Sequence, residues 1–140
     1  MTDLYLLDKS ALARVARQPA VRAALEHLDD IGVLATTAVI DLEIGYGARN
    51  LNEFDSVAAD RAALYQELPI TRAVTERARQ VQRELVRTGH HRGPGVPDLL
   101  IAATAELHGA VVVHYDRDFD VIAAITAQPV QWIVPSGSVP

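Results

Sequence analysis

Apolar residues form four short runs along the chain, and the stretches between them have a helical pattern. The runs are LYLL (4–7), GVLATT (32–37), AVVVHY (110–115) and VQWIV (130–134), with LPI (68–70) as a weaker fifth candidate. Between them, apolar positions recur at helical spacing over 11–16, 21–28, 39–51, 56–68, 73–88, 98–108 and 119–126. Short apolar strands that alternate with helices are typical of a parallel sheet covered on both faces. The pattern predicts an α/β fold in three layers around a mainly parallel, doubly wound sheet.

The length of 140 residues and the hydrophobic content of 49% predict one domain with a substantial core. We place that domain at residues 1–135. The last residues, in the sequence PSGSVP, predict a flexible tail over 136–140. The loop richest in helix-breaking residues is GHHRGPGVP (89–97).

Composition narrows the function classes. The chain has no cysteine, which argues against a disulfide scaffold and a thiolate zinc site. No basic region is followed by an apolar run at the N-terminus, and no apolar stretch approaches the roughly 20 residues that span a bilayer. We therefore expect a cytoplasmic protein with no membrane association. The net charge of −5 is uneven, because residues 72–92 carry six arginines and only two acids.

Two aspartates directly follow predicted strands. Asp8 comes after LYLL, and Asp116 follows the strand at 110–115. In open α/β sheets, ligands bind outside the carboxyl ends of the strands. Asp8 is equally well explained as a helix cap, and aspartate is common in strand-to-helix turns. If the two strands are neighbours, however, Asp8 and Asp116 lie side by side.

Two further acids lie near the starts of predicted helices. Glu43 shares a largely apolar face with Val39, Ile40 and Tyr46, where an unpaired carboxylate is costly; pairing with Arg49 or exposure at the margin of that face are the alternatives. Asp98 opens the helix in VPDLLIAATAELHG, where it also complements the helix dipole.

The predicted topology brings these acids to one edge of the sheet. Two carboxylates about 5 Å apart repel by roughly 3 kcal/mol at an effective dielectric constant of about 20. Four of them need protons or cations to offset that repulsion. A set of oxygen ligands without cysteine suits Mg²⁺ or Mn²⁺. A divalent-metal site therefore explains the four acids better than four separate structural roles.

The segments LLDKSAL, LEIGYGA, PDLLIAATA and HYDRDF, in this order and at these separations, resemble those of PIN-domain ribonucleases, and most of all the VapC toxins of bacterial toxin–antitoxin pairs. The likeness extends from Leu4 to about Val134. It implies a three-layer α/β/α fold and a metal-dependent endoribonuclease, usually dimeric and inhibited by a cognate antitoxin.

The resemblance also assigns roles to individual residues. It implies metal ligands at Asp8, Asp98 and Asp116, and a catalytic glutamate at Glu43. Asp118 corresponds to an auxiliary ligand, and Ser10 to a hydroxyl group that orients a carboxylate or a water. One departure stands out, because the family commonly has Thr or Ser where this chain has His114. We expect His114 to pack at the strand end, while a role as hydrogen-bond donor or base stays open.

The expected reaction is hydrolysis of an RNA phosphodiester, in which one or two Mg²⁺ ions activate a water. An acidic pocket repels RNA, so cationic residues outside it must hold the phosphates. Arg79, Arg83 and Arg87 recur at helical spacing and are our candidates for RNA binding, with Arg14 and Arg17 as possible additions. One Trp and two Phe offer little for base stacking, which favours structured RNA such as tRNA or rRNA as substrate.

Three other functions also use an α/β sheet with an acidic site. A receiver domain of two-component signalling needs a lysine after a late strand, whereas the only lysine here is Lys9. A HAD-type phosphatase needs an acid where Ser10 stands. A non-catalytic binding module that retains the acidic metal site is the remaining alternative, although such a module is expected to lose some of the four acids.

Overall fold

The structure is a computed structural model that describes residues 2–140, and the predicted α/β fold is confirmed. Five strands form one parallel sheet in the order β3-β2-β1-β4-β5. Their bounds are β1 Asp3–Leu7, β2 Gly32–Thr36, β3 Gln66–Glu67, β4 Val111–His114 and β5 Val130–Trp132. Strands β1 and β4 are neighbours at the centre of the sheet, as the argument about their terminal aspartates required.

Seven helices connect and cover the strands. They are α1 Lys9–Leu12, α2 Pro19–Ile31, α3 Ala38–Tyr46, α4 Leu51–Leu64, α5 Arg72–Arg87, α6 Val96–His108 and α7 Asp118–Thr126. Side chains alternate across the strands, so the sheet has two buried faces. Leu6 and Val112 pack into the core formed with α3, α5, α6 and α7. Leu7 and Val113 face the smaller core that includes α1 and α2. The molecule therefore has three layers.

Several predicted elements differ from the observed ones. The helix expected over 11–16 is α1, which ends at Leu12, and the helix expected over 56–68 is part of α4, which ends at Leu64. The helix expected over 39–51 is interrupted: α3 ends at Tyr46, and α4 begins at Leu51 with Asn50 as its N-cap, whose Oδ1 accepts a hydrogen bond from the amide of Glu53 at 2.8 Å. The weak strand at 68–70 is instead Gln66–Glu67. Both of its side chains are exposed, so an apolar run could not mark it.

The C-terminal segment touches the domain close to the end of β4. The Tyr115 hydroxyl donates to the carbonyl of Val139 at 2.7 Å, and Arg14 Nε donates to Pro140 O at 2.9 Å. The flexibility of residues 136–140 stays a prediction. Among the helices of residues 2–140, none has both the length and the apolar character needed to cross a membrane.

Candidate metal centre

Three carboxylates converge at the carboxyl edge of the two central strands. Asp98, Asp116 and Asp118 each offer one oxygen, and these three oxygens lie within 4.8 Å of one another. Asp116 lies two residues beyond β4, Asp118 begins α7, and Asp98 is in the first turn of α6. The parallel topology explains the convergence, because strands end and helices begin at this edge. Asp118, which the resemblance implies only as an auxiliary ligand, is a full member of the group.

Local hydrogen bonds fix these carboxylates. Asp98 Oδ2 accepts the backbone N–H of Gly95 at 2.9 Å, which orients the side chain at the start of α6. Asp116 Oδ1 accepts the backbone N–H of Asp118 at 2.9 Å, which closes the turn between β4 and α7. Next to this turn, a Cβ atom added to Gly93 would lie 3.5 Å from Asp118 Oδ1. The loop 89–95 therefore borders the acidic group.

The pKa of Asp98 reflects its burial and the negative charges around it. Its pKa is raised to about 6, mainly because burial disfavours the charged form, and further because Asp8, Asp116 and Asp118 repel a negative charge there. The N–H of Gly95 opposes this shift by stabilising the carboxylate. Burial, with a contribution from the charge of Asp116, also raises the pKa of Asp118. Without a cation, the site therefore holds its negative charges at a free-energy cost.

Asp8, which follows β1, is not one of the three carboxylates that converge. It is 5% exposed and is the N-cap of α1. Its Oδ2 accepts hydrogen bonds from the backbone N–H and the hydroxyl of Ser10, at 2.9 and 2.6 Å. Since both bonds fall on Oδ2, Oδ1 is the oxygen available to a cation. Asp8 is thus a helix cap and also a charge that acts on Asp98.

Ser10 links the two central strand ends. Its hydroxyl donates to Asp8 and accepts the backbone N–H of Tyr115 at 2.9 Å. One side chain therefore ties the turn after β1 to the turn after β4. This geometry suits the orienting role that the resemblance implies for Ser10.

Glu43 projects from the second turn of α3 toward Asp8. Burial raises its pKa, the charge of Asp8 raises it further, and Lys9 opposes the shift. Its Oε1 atom is buried and has no hydrogen-bond partner within residues 2–140. The alternative partner considered from the sequence, Arg49, pairs with Glu53 instead at 2.8 Å. One oxygen of the half-buried Glu43 carboxylate is therefore buried without a hydrogen bond, at a free-energy cost that the rest of the described fold does not offset.

His114 is completely buried at the end of β4. Its Nδ1 accepts the backbone N–H of Asp116 at 3.1 Å, which puts the ring proton on Nε2 in the neutral form. Burial lowers the pKa of His114 and so favours that form. The ring packs between Phe119 and Trp132, with centroids 5.2 and 5.0 Å away. His114 therefore packs at the strand end as expected, and it also contacts the backbone of an acidic site residue.

Comparisons with known proteins identify the fold family. The family model of the PIN domain matches residues 5–125 of this chain. The chain belongs to the PIN domain family. It is 48% identical over 135 residues to Ribonuclease VapC51 of Mycobacterium tuberculosis, covering 96% of both chains, and 46% identical over 138 residues to Ribonuclease VapC21 of the same organism, covering 99% of both.

Solved structures agree with this PIN fold. The chain resembles one in VapBC2 from Rickettsia felis bound to a promoter DNA fragment, with a TM-score of 0.76, 19% identity and coverage of 91% of this chain and 97% of that one. It also resembles one in DNA-bound VapBC from Salmonella typhimurium, with a TM-score of 0.73, 20% identity and coverage of 96% and 100%.

The acidic side chains of this PIN domain fit a hard divalent cation. Every candidate ligand is a carboxylate, the donor type that Mg²⁺ and Mn²⁺ prefer. A cation would offset the repulsion that raises the pKa of Asp98 and would give the buried Glu43 Oε1 an electrostatic partner. The site fits the metal for two independent reasons.

The arginine stripe predicted on α5 lies away from the core. Arg79, Arg83 and Arg87 are all exposed and share the helix face opposite the buried residues Val74, Ala78, Val81 and Leu85. Arg87 pairs with Glu84 at 2.9 Å. By contrast, Arg14 is already engaged: it lies 4.2 Å from the Tyr115 ring centroid and donates to the carbonyl of Ser10.

Helix α4 is the most exposed helix of the domain and has no buried residue. Leu51, Phe54 and Leu64 are 72%, 45% and 63% exposed. Between α4 and α3 lies a groove of about 600 Å³. At its base Arg61 donates two hydrogen bonds to Asp41 Oδ1, at 3.1 and 2.9 Å. Helix α4 therefore presents apolar side chains that the rest of the described domain does not cover, whereas Leu68 beyond its end is buried.

Proposed function

We propose that this protein is a VapC-type endoribonuclease toxin that hydrolyses phosphodiester bonds in structured cellular RNA, such as tRNA or rRNA, in the cytoplasm. The supporting observation is the convergence of Asp98, Asp116 and Asp118. It is accompanied by the buried Oε1 of Glu43, which has no hydrogen-bond partner in the described chain. The family relatives, named ribonucleases, are 46–48% identical over nearly the whole chain.

The cofactor in this proposal is Mg²⁺ or Mn²⁺. Asp8, Asp98 and Asp116 would hold it, with Asp118 as a fourth carboxylate and Glu43 completing the catalytic set. When bound, the cation would lower the pKa of a water and offset charge on the phosphoryl oxygens. Ser10 keeps Asp8 in place through two hydrogen bonds. The carboxylates act as ligands and as acceptors for the proton of that water, so no protein nucleophile is needed.

RNA reaches the acidic site through cationic contacts outside it. Arg79 and Arg83 on α5 are exposed, and Arg87 is also exposed although it is paired with Glu84. These three arginines would neutralise phosphates, so RNA affinity is expected to fall steeply as salt concentration rises. Replacing Arg79 and Arg83 with methionine should reduce the magnitude of the salt slope by about one to two.

The proposed regulator is a cognate antitoxin, and the proposed assembly is a homodimer. Two structural neighbours are described as VapBC complexes. The α3–α4 groove, with its exposed apolar rim, is where we place an antitoxin helix. An arginine or lysine from that helix could neutralise the carboxylates as a metal does. Light scattering of the purified chain at several concentrations tests the dimer.

The decisive experiment compares RNA cleavage by the purified wild type with cleavage by Asp98→Asn and Asp116→Asn. Total tRNA and rRNA are incubated with each protein in Mg²⁺, in Mn²⁺ and in EDTA. We expect cleavage only by the wild type and only with a metal. Asp30→Asn, an exposed position on α2, is the matched control and should cleave like the wild type.

Two outcomes would overturn the proposal. Equal cleavage by all four proteins would identify a contaminating nuclease. A folded wild type that binds Mn²⁺ but cleaves no RNA would instead support the non-catalytic module that retains the acidic site.

A further inference from the structure

Next to the acidic site is a cleft whose other lining residues, apart from Glu43, have no role in the proposed reaction. It has a volume of about 370 Å³ and is lined by Lys9, Val39, Leu42, Glu43, Tyr46 and Pro97. Three site elements contribute to it: the start of α1, the outer face of α3 and the first turn of α6. Glu43 belongs both to this cleft and to the catalytic set. Any chain bound at the metal site therefore passes beside the cleft.

Tyr46 is the most exposed large apolar or aromatic side chain in the described residues, at 91%. It lies three positions after Glu43 and so extends from the same side of α3. Leu42, also in the lining, is 73% exposed. An exposed aromatic ring flanked by apolar side chains is costly in water and suited to stacking against a flat ligand.

The other Phe, Tyr and Trp rings in residues 2–140 are buried or pack against another group. Phe119 and Trp132 pack on His114, Tyr65 lies under Arg61, and Tyr115 lies under Arg14. Tyr5 is buried, and the ring of Phe54 lies against Gly45. The expectation from the sequence that few side chains can stack on bases was based on Trp and Phe alone and left out tyrosine. Among the Phe, Tyr and Trp side chains of the described residues, Tyr46 is the one ring that is both largely open to solvent and next to the site.

Lys9 supplies the charge that this cleft needs for a nucleic acid. It directly follows Asp8, and its charge lowers the pKa of Glu43, so its ammonium group acts on the site from the cleft side. No salt bridge within 4.0 Å involves Lys9 among residues 2–140. Lys9 lines the same cleft as Glu43, so a cation without an ion-pair partner lies beside the acidic site, where it suits an RNA phosphate.

We propose that this cleft is a nucleotide subsite, in which Tyr46 stacks on an unpaired base of the RNA substrate and Lys9 binds the adjoining phosphate. The inference rests on the proposed ribonuclease function and specifies how that site holds its substrate. The cleft offers the Tyr46 ring and the apolar side chains of Val39, Leu42 and Pro97 to the face of a base. Stacking of this kind needs an unstacked base, so the subsite favours a loop or bulge nucleotide. It makes few sequence demands, because every base has a stacking face.

The test measures binding of a fluorescein-labelled RNA hairpin with an eight-nucleotide loop, with Ca²⁺ replacing Mg²⁺ to slow cleavage. Tyr46→Ala should weaken binding about 5-fold to 100-fold and leave the dependence of affinity on salt unchanged. Tyr46→Trp, which keeps an aromatic ring, should bind the hairpin like the wild type. Lys9→Met should weaken binding and reduce the magnitude of the salt slope by about one. Two substitutions in one cleft thus give different signatures.

Leu107→Ala and Arg72→Met are the matched controls. Both residues are exposed, and they lie at the far end of the α5–α6 hairpin from Asp98. Both variants should bind like the wild type, and circular dichroism should show that all variants are folded. Mn²⁺ affinity should be unchanged in Tyr46→Ala, because that residue is not a ligand.

Three results would overturn the inference. If Tyr46→Ala binds the hairpin within twofold of the wild type, the ring does not stack on a base. If Lys9→Met leaves the salt slope unchanged, the lysine does not bind a phosphate. If the wild type neither binds the hairpin nor cleaves any RNA, both the subsite and the proposed ribonuclease function are wrong. If the wild type cleaves RNA and Tyr46→Ala binds the hairpin equally well, only the subsite is wrong.

Discussion

The imidazole of His114 accepts a hydrogen bond from the backbone amide of Asp116, with 3.1 Å between Nδ1 and the amide nitrogen. This bond orients the peptide that carries one of the three converging carboxylates. The other ring nitrogen, Nε2, is buried without a hydrogen-bond partner in the described residues, and Asp120 Oδ1 lies 3.8 Å from it. His114 therefore acts on the site through Nδ1.

His114→Asn should retain Mn²⁺ affinity, because the asparagine Oδ1 takes the place of Nδ1 as acceptor. His114→Gln and His114→Leu should lose about tenfold or more in Mn²⁺ affinity, as is usual when a group that orients a metal ligand is removed. Titration of Mn²⁺ followed by electron paramagnetic resonance measures this difference. Because His114 is fully buried, thermal unfolding of each variant must be recorded as well. Equal Mn²⁺ affinity in the Asn and Leu variants would contradict a role for Nδ1.

Asp98→Asn should abolish metal-dependent cleavage and yet stabilise the metal-free protein at pH 7.5. The reason is that the raised pKa of Asp98 makes its charged form unfavourable in the fold. After a discount for its partial exposure, we expect a gain of about 1 kcal/mol, or an increase of about 2–4 °C in the unfolding midpoint. Differential scanning calorimetry in EDTA measures it, with Asp30→Asn as the unchanged control. A lower midpoint for Asp98→Asn would show that the carboxylate is not strained.

The pKa of about 6 for Asp98 also sets a pH dependence. The folded chain binds more protons at this residue than the unfolded chain between pH 4 and 6, so its contribution to the stability of the metal-free protein falls as pH rises through that range. Metal affinity changes in the opposite direction, since a ligand must be deprotonated. Calorimetric Mn²⁺ titrations should show affinity rising between pH 5 and 7. A flat profile would contradict the assignment of Asp98 as a ligand.

Arg61→Ala should destabilise the protein by roughly 1–3 kcal/mol. The Arg61 side chain is 11% exposed and donates to both Asp41 and Thr36, and removing it leaves a partly buried carboxylate unpaired. Arg49→Ala is the control, because the Arg49–Glu53 pair on the surface should be worth less than about 1 kcal/mol. Urea unfolding measures both. Similar losses for the two variants would mean that the Arg61 cluster contributes no more than a surface ion pair.

Much of the candidate site could be predicted from the sequence because its residues mark the ends of regular elements. Asp8 and Asp116 follow apolar runs, and Asp98 opens a helix, so the carboxyl-edge rule for parallel sheets is enough to bring them together. Asp118 is different. Its membership in the group depends on the turn closed by its own N–H to Asp116 Oδ1, and no pattern of hydrophobic positions encodes the conformation of that turn.

The roles of Glu43, His114 and Tyr46 depend on burial and distance. On α3, Glu43 and Tyr46 lie three positions apart, yet one carboxylate oxygen is buried without a partner and the ring is 91% exposed. Likewise, α4 carries the apolar residues Leu51, Phe54 and Leu64, but the rest of the domain leaves them largely uncovered. Helical periodicity defines the face of a helix and does not define what packs against it.

The sequence alone determined the alternation of strands and helices, the parallel sheet and the edge at which the acids meet, because these follow from local periodicity and chain direction. The tertiary structure alone decided which carboxylates lie within 4.8 Å, which one lacks a partner and which aromatic ring stays free. These properties depend on the dielectric environment and on contacts between segments far apart in the chain, to which a local pattern is insensitive.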